Sequence, residues 1–322
     1  MAKGKKKAAK KPDTKSVAQS ERRQRKLTRA QKKLVAKKAA AKRQKLPSSV
    51  KLVIQVFNIL RKYWQPLGGI VLIYLLLNII FASGFSNLTS SVDSIRTNLA
   101  NSPAQSSKWL NVLGGFTALV GSGGSSSSAT GSVLQSVLFI LVSLVIIWAL
   151  RQLLAGHKIS VKQAYYHGPN PLVPFLLVLG VIFIQLLPVT LGTAAAQFIL
   201  GSVTTGGAFI SVLFVIIFVF LAAWSLYMVC GSIFALYIVT LPEMMPRDAL
   251  RSAKSLVIYR RGPIIRKLIF LLLCVLVLMG VIVIPLIIFA AGLVAPVFFI
   301  LSMLAILFAH TFLYSLYRSL LE

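Results

Sequence analysis

Six apolar runs constrain this chain more than anything else in it, because each is long enough to cross about 30 Å of hydrocarbon. They lie at about 65–85, 133–154, 172–197, 208–241, 268–291 and 294–317, and no Asp, Glu, Lys or Arg falls near the middle of any of them. Backbone N–H and C=O groups in hydrocarbon must be satisfied within the segment, so runs of this kind are helices. The predicted fold is all-α: a polytopic six-span transmembrane helical bundle carrying amphipathic helices at its interface. With 57% hydrophobic and 13% charged residues and a mean hydropathy of +0.82, the composition excludes a soluble globule.

Charge divides the chain in two. Nineteen of the 35 Lys and Arg residues precede Leu46, opposed only by Asp13 and Glu21. Residues 1–47 therefore read as a disordered basic N-terminal tail with too little apolar area to fold alone. The tail has no aromatic residue to stack on bases, which makes anionic phospholipid headgroups its expected partner, at about 1 kcal/mol per basic residue near the surface. RNA or a ribosome, reached through residues 1–46, is the alternative. A cleavable signal peptide is not expected, since roughly fifty polar residues come before the first apolar run.

Residues 48–322 form the six-span domain. Val50 to Lys62 is amphipathic: Val50, Val53, Ile54, Phe57 and Leu60 keep helical spacing, with Lys51, Gln55, Asn58, Arg61 and Lys62 as the polar complement. An outer loop, 86–132, contains a short apolar piece, Trp109 to Val120, expected to lie at the surface or be re-entrant, and then a Gly/Ser-rich linker from Gly121 to Ser132. Between the second and third spans, Ser160 is placed to cap a turn carrying Val161, Ala164 and Tyr165. The third span should be kinked or interrupted at Pro188. The fourth run has 34 residues, about 51 Å of helix, too long for one span and too short for two, which predicts a tilted helix broken near Gly231.

The polar island from Pro242 to Lys267 holds seven Lys or Arg residues and two of the six acids. As a helix it places Ala249, Leu250, Ala253, Leu256 and Val257 on one face, and Gly262-Pro263 is expected to end it. Arg247, Arg251, Lys254, Arg260 and Arg261 are predicted to form one cationic surface that binds lipid or a partner. Glu243 and Asp248 are predicted to make structural ion pairs with Arg247 and Arg251, at spacings of four and three. Outside the tail, fourteen cations fall on the side of this island and two, Arg96 and Lys108, on the other. That asymmetry predicts both termini in the cytoplasm and the long loop outside.

Catalytic chemistry has no constellation to stand on. His157 and His167 are not at metal-ligand spacing, Cys230 and Cys274 are isolated within apolar runs, and no paired carboxylates or nucleophile elbow occur. No catalytic residue, metal or cofactor is expected, and the chain is expected not to be an enzyme. Polar residues within the spans, Gln185 and Ser225, together with the breaks at Pro188 and Pro285, mark a possible pathway. They support the alternative function, a transporter or permease for a small or lipidic substrate.

The stretch VTLPEMMPRDALRSAKSLVIYRRGPIIRK resembles a segment of the membrane domain attached to some bacterial glycerophosphodiester phosphodiesterases, and of related stand-alone multi-pass bacterial membrane proteins of unknown function. The residues that carry the likeness are Glu243, then Ala249 to Ala253, then Arg260, Arg261 and Gly262; Gly156 to Ala164 resembles an earlier element of the same group. The resemblance implies a plasma-membrane architecture without a reaction, because no catalytic barrel is present. An echo of Leu177–Ile182 in Leu276–Ile282, each followed by a proline, suggests a repeated unit of interfacial helix plus two spans. The expected function is non-enzymatic: engagement of anionic lipid or a partner complex through basic interfacial helices.

Overall fold

Each apolar run becomes a helix, the fourth continuing into a short second one, and among the described residues three further short helices lie at one end of the bundle. The computed structural model describes residues 47–82, 92, 97, 114–117, 119–120, 129–202, 208–241, 244–258 and 260–321; side chains at 129–130, 193–202, 208–211, 213–214 and 291 are not described. The elements are α1 (Ser49–Lys62), α2 (Trp64–Ala82), α3 (Ala129–Leu154), α4 (Val161–His167), α5 (Leu172–Ser202), α6 (Ala208–Ser232), α7 (Ala235–Ile238), α8 (Pro246–Val257), α9 (Arg261–Phe289) and α10 (Ala291–Leu321). Among the described residues there is no strand, and six helices are long and apolar enough to span a bilayer. The chain is a multi-pass integral membrane protein.

Residues Leu46–Leu321 form one compact unit. α1, α4 and α8 all lie at the same end of it. Leu52 and Val56 of α1 share a buried cluster with Ala249, Ala253 and Val257 of α8 and with Phe312, Leu316 and Leu320 near the end of α10. α4 is tied to the start of α2 by a hydrogen bond from Tyr165 Oη to the Ile70 carbonyl, 2.9 Å. Burial, and next the nearby Tyr74 phenol, push the Tyr165 hydroxyl well above the ordinary tyrosine range. We call this the basic end, because the exposed cations Lys51, Lys62, Lys158, Lys162, Arg247 and Arg251 are here. At the far end, Phe116 and Leu119 are buried with Met279, Val283 and Ile287. Phe116 and Leu119, from the apolar piece of the outer loop, thus pack against the bundle.

Local sequence explains the turns at the basic end. Ser160 and Gln163 form a capping box, each side chain accepting from the other's backbone N–H, so α4 starts where its N-cap was expected. α3 ends in a reversal in which Gly156 has a φ of 89° and the His157 N–H returns to the Gln152 carbonyl at 3.0 Å. This conformation suits glycine because a Cβ would strain it.

Four boundaries differ from the sequence reading. α3 begins at Ala129, so the last residues assigned to the linker are helical. α5 runs unbroken through Pro188, and α9 through Pro285; a proline within a spanning helix is tolerated where neighbouring groups re-satisfy the freed carbonyl. The fourth run does break, one residue past Gly231: α6 stops at Ser232 and the remainder folds into the short α7. Gly262-Pro263 does not end α8, which stops at Val257, but sits in the first turn of α9. Proline fits there because the first N–H groups of a helix lack intrahelical acceptors anyway.

Candidate functional site

The basic end is the candidate site, and α1 shows how it stands relative to a membrane. At 100° per residue, three stripes run along this helix. Leu52, Val56 and Ile59 face the bundle and are buried. About 160° away, Val50, Ile54 and Phe57 are 60%, 55% and 56% exposed. Between the two apolar stripes, on one flank, stand the exposed Lys51, Gln55, Asn58 and Lys62. The sequence reading gave Val50, Ile54 and Phe57 helical spacing without saying which face packs; the face that packs is that of Leu52, Val56 and Ile59. A helix with protein on one side, an uncovered apolar stripe opposite and cations between lies in the interface plane.

α8 has the complementary layout. Ala249, Ala253 and Val257 are buried, and Arg247, Arg251 and Lys254 are exposed. The three cations fall within about 60° of one another, and about 130° from the centre of the buried stripe. They form a row. The other two members of the predicted surface stand apart. Arg260 is half-buried in the turn before α9. The Arg261 guanidinium lies over the Tyr227 ring of α6 at 4.3 Å, a cation–π contact that directs it towards the spans. Asp248 is exposed in the first turn of α8, where its charge favours the helix N-terminus. No ion pair joins it to Arg251 or to any other described residue. Glu243, and with it the predicted pair to Arg247, lies outside the described residues.

Two buried cations at this end were not singled out by sequence. Lys267, 6% exposed, donates from Nζ to the Pro47 carbonyl and so joins the start of α9 to the segment just before α1. Arg151, half-buried at the end of α3, reaches the carbonyls that follow α7. It donates from Nη1 to Thr240 O at 2.7 Å, from Nη2 to Tyr237 O at 3.5 Å, and from Nη2 to Thr240 Oγ1. These contacts are 86 to 89 residues apart in sequence, and nothing local in either segment announces them. Deeper in the bundle, Tyr237 Oη is 3.3 Å from His310 Nδ1, and His310 Nε2 is 3.1 Å from Ser143 Oγ. One polar chain thus connects the second, fourth and sixth spans.

Two cavities open among these elements. The first, about 880 Å³, lies beneath the elbow between α7 and α8, with Trp148, Arg151, Gln152, Asn170, Thr240 and Met245 among its lining. The second, about 560 Å³, is an apolar crevice between α1 and the fifth and sixth spans, lined by Phe57, Leu278 and Phe308, with Arg61 and Trp64 at its interfacial edge.

The residues predicted to mark a pathway line neither cavity. Ser225 donates to the Gln185 carbonyl at 2.7 Å, and Gln185 Nε2 donates to Ser232 Oγ at 2.9 Å, so the three polar side chains clasp α5 to α6. Gln185 Oε1 is buried without a partner. Pro188 lies one turn further along α5, and Pro285 is on α9, away from this clasp in sequence and element. Among the described residues no group of three His, Cys, Asp or Glu side chains comes together.

No protein-family model matches the chain, and no curated protein or solved structure matches it.

Proposed function

We propose that this protein is a non-enzymatic, multi-pass membrane protein that holds anionic lipid headgroups against its basic end. The observation that carries the reading is the three-striped α1. Its uncovered Val50, Ile54 and Phe57 set the level of the acyl chains, and the Lys51–Lys62 flank sets the level of the headgroups. The Arg247, Arg251 and Lys254 row of α8 belongs to the same end and extends the cationic surface, its long side chains free to reach the phosphate layer. On this reading the basic end and both termini lie in the cytoplasm of a bacterium, at the plasma membrane, a reading that the excess of cations on this side supports. The resemblance to membrane domains of bacterial phosphodiesterases supports the architecture and lends no activity. The tail adds a second, sequence-tolerant attraction to the same anionic surface.

The test is lipid retention. Protein lacking residues 1–46 is purified with and without Arg247, Arg251 and Lys254 replaced by Gln. Each form is incubated with vesicles of mixed zwitterionic and anionic lipid at two salt concentrations, and the lipid kept through detergent extraction is weighed by native mass spectrometry. The proposal expects anionic lipid to be enriched on the parent protein, less so at high salt, and the enrichment to fall in the triple variant. Equal, salt-insensitive retention by both forms would reject it.

A further inference from the structure

The cavity beneath the elbow contains a cation whose protein partners leave its charge unanswered. A guanidinium has five N–H donors, and Arg151 spends three on Thr240 O, Thr240 Oγ1 and Tyr237 O, with the Tyr314 phenol a further neutral partner. All three acceptors are neutral. Asp248 is the one acid among the described residues, and it does not line this cavity. A full positive charge remains, with no carboxylate against it among the described residues, in a space of about 880 Å³ open to the outside. The cavity is far larger than a simple anion needs, and most of its wall is apolar, including Leu144, Trp148, Val239 and Leu241, while Gln152 and Asn170 supply polar groups. Met245, the N-cap of α8, and Pro246, its first residue, border it, so it opens at the level of the interface. An occupant that satisfies both walls is amphiphilic, with an anion at one end.

We propose that this cavity is a binding site for the phosphate of a lipid-like amphiphile, with the Arg151 guanidinium as its anchor. Phosphate suits the site because charge-assisted bonds from arginine to phosphate oxygens are among the strongest available to a protein. The proposal rests on the reading that this end lies at headgroup level. It does not depend on the α8 cations, none of which lines the cavity.

Trp148 gives a native reporter. The full-length protein in detergent is titrated with a short-chain phosphatidic acid, with the matching uncharged diacylglycerol, and with inorganic phosphate. The signal is the fluorescence difference between the protein and its Trp148→Phe variant. Saturable binding of the phosphatidic acid is expected, weakened about tenfold or more by Arg151→Gln and less by Arg151→Lys. Met245→Trp, which narrows the opening from an exposed position and leaves the arginine caps intact, should also weaken it and guards against misfolding of the arginine variants. Inorganic phosphate binding as tightly would assign the site to soluble phosphate; binding of the phosphatidic acid alone assigns it to lipid. The proposal is overturned if the diacylglycerol binds equally well, if Arg151→Gln and Met245→Trp bind as the parent does, or if no binding occurs. It is equally overturned if binding appears only after Glu243→Gln, since the chain's own carboxylate would then be the occupant.

Discussion

His310 Nε2 lies 3.1 Å from Ser143 Oγ, and Ser143 in turn donates its one hydroxyl proton to the Phe139 carbonyl at 2.7 Å. The serine can therefore only accept from the imidazole, which puts the histidine proton on Nε2. Nδ1 is then an acceptor, and the phenol of Tyr237 at 3.3 Å is its donor. Every proton in the chain has one place to go: Tyr237 to His310 to Ser143 to Phe139. The arrangement is a directional lock between the second, fourth and sixth spans, in which a neutral histidine is fully used.

Breaking this lock at one point should cost more than removing it whole. Tyr237→Phe leaves a buried acceptor on His310 unsatisfied, and should destabilise the protein by about 1–2 kcal/mol, within the range seen for hydrogen bonds inside membrane proteins. Tyr237→Phe combined with His310→Phe should be less destabilising than the sum of the two single changes. Reversible unfolding in mixed micelles measures all three; strict additivity would show that the hydrogen bond is not coupled.

Gly168, just beyond α4, is fitted against two backbones. A Cβ there would lie 2.6 Å from the Ala164 carbonyl oxygen and 2.9 Å from Val145 Cα, neither of which can rotate away. Gly168→Ala should therefore push α4 off α3 and destabilise by about 1–3 kcal/mol. Gly180→Ala, at a helix position where a Cβ meets nothing within 4 Å, should be neutral or stabilising by up to about 1 kcal/mol. Thermal shift of the two variants side by side checks the contrast.

The Arg261–Tyr227 contact makes a prediction that separates aromatic from apolar packing. Tyr227→Phe keeps the ring face and should leave stability unchanged. Tyr227→Leu loses it and should cost about 0.5–2 kcal/mol, more than its small change in apolar area implies. If both behave alike in micelle unfolding, the stacking contributes nothing.

Tyr165 links stability to alkaline pH. Folding buries the phenol and gives it an acceptor in Ile70, so the folded protein holds this proton more tightly than the unfolded chain does. That contribution is complete below the unfolded tyrosine value of about 10 and is lost as pH rises from there towards the higher folded-state value. Tyr165→Phe should be less stable than the parent by about 1 kcal/mol at neutral pH. The gap between them should narrow above about pH 10, and a constant gap in denaturation from pH 7 to 11 would contradict the assignment.

The spans were legible because a bilayer imposes length and composition on each segment separately, and six runs met both conditions without reference to one another. The buried stripe of α8 and the capping box at Ser160 were legible for the same reason, since helical spacing is a local property. α1 was legible as an amphipathic helix, but not as to which of its faces packs. Its two apolar stripes are nearly opposite one another, and periodicity alone cannot tell which meets protein and which meets lipid. Arg151 could not be assigned at all: in the sequence it is one more cation at a span end, and only the fold brings Thr240 to it. Arg261 looked like a member of the cationic row because it is near in sequence, whereas the start of α9 turns it onto Tyr227.

That α1, α4 and α8 lie on one face of the membrane is the claim on which the rest depends, and sided cysteine labelling tests it most directly. In a background with Cys230 and Cys274 replaced by Ser, single cysteines are placed at Lys51, Lys162 and Arg251, and a fourth at Ser126 in the outer loop. A membrane-impermeant maleimide is added to sealed vesicles of known orientation, and to the same vesicles opened with detergent. Cysteines at 51, 162 and 251 should react from the same side, the cytoplasmic one, and that at 126 only from the other. Labelling of any of the first three from the side of Ser126 would contradict the account.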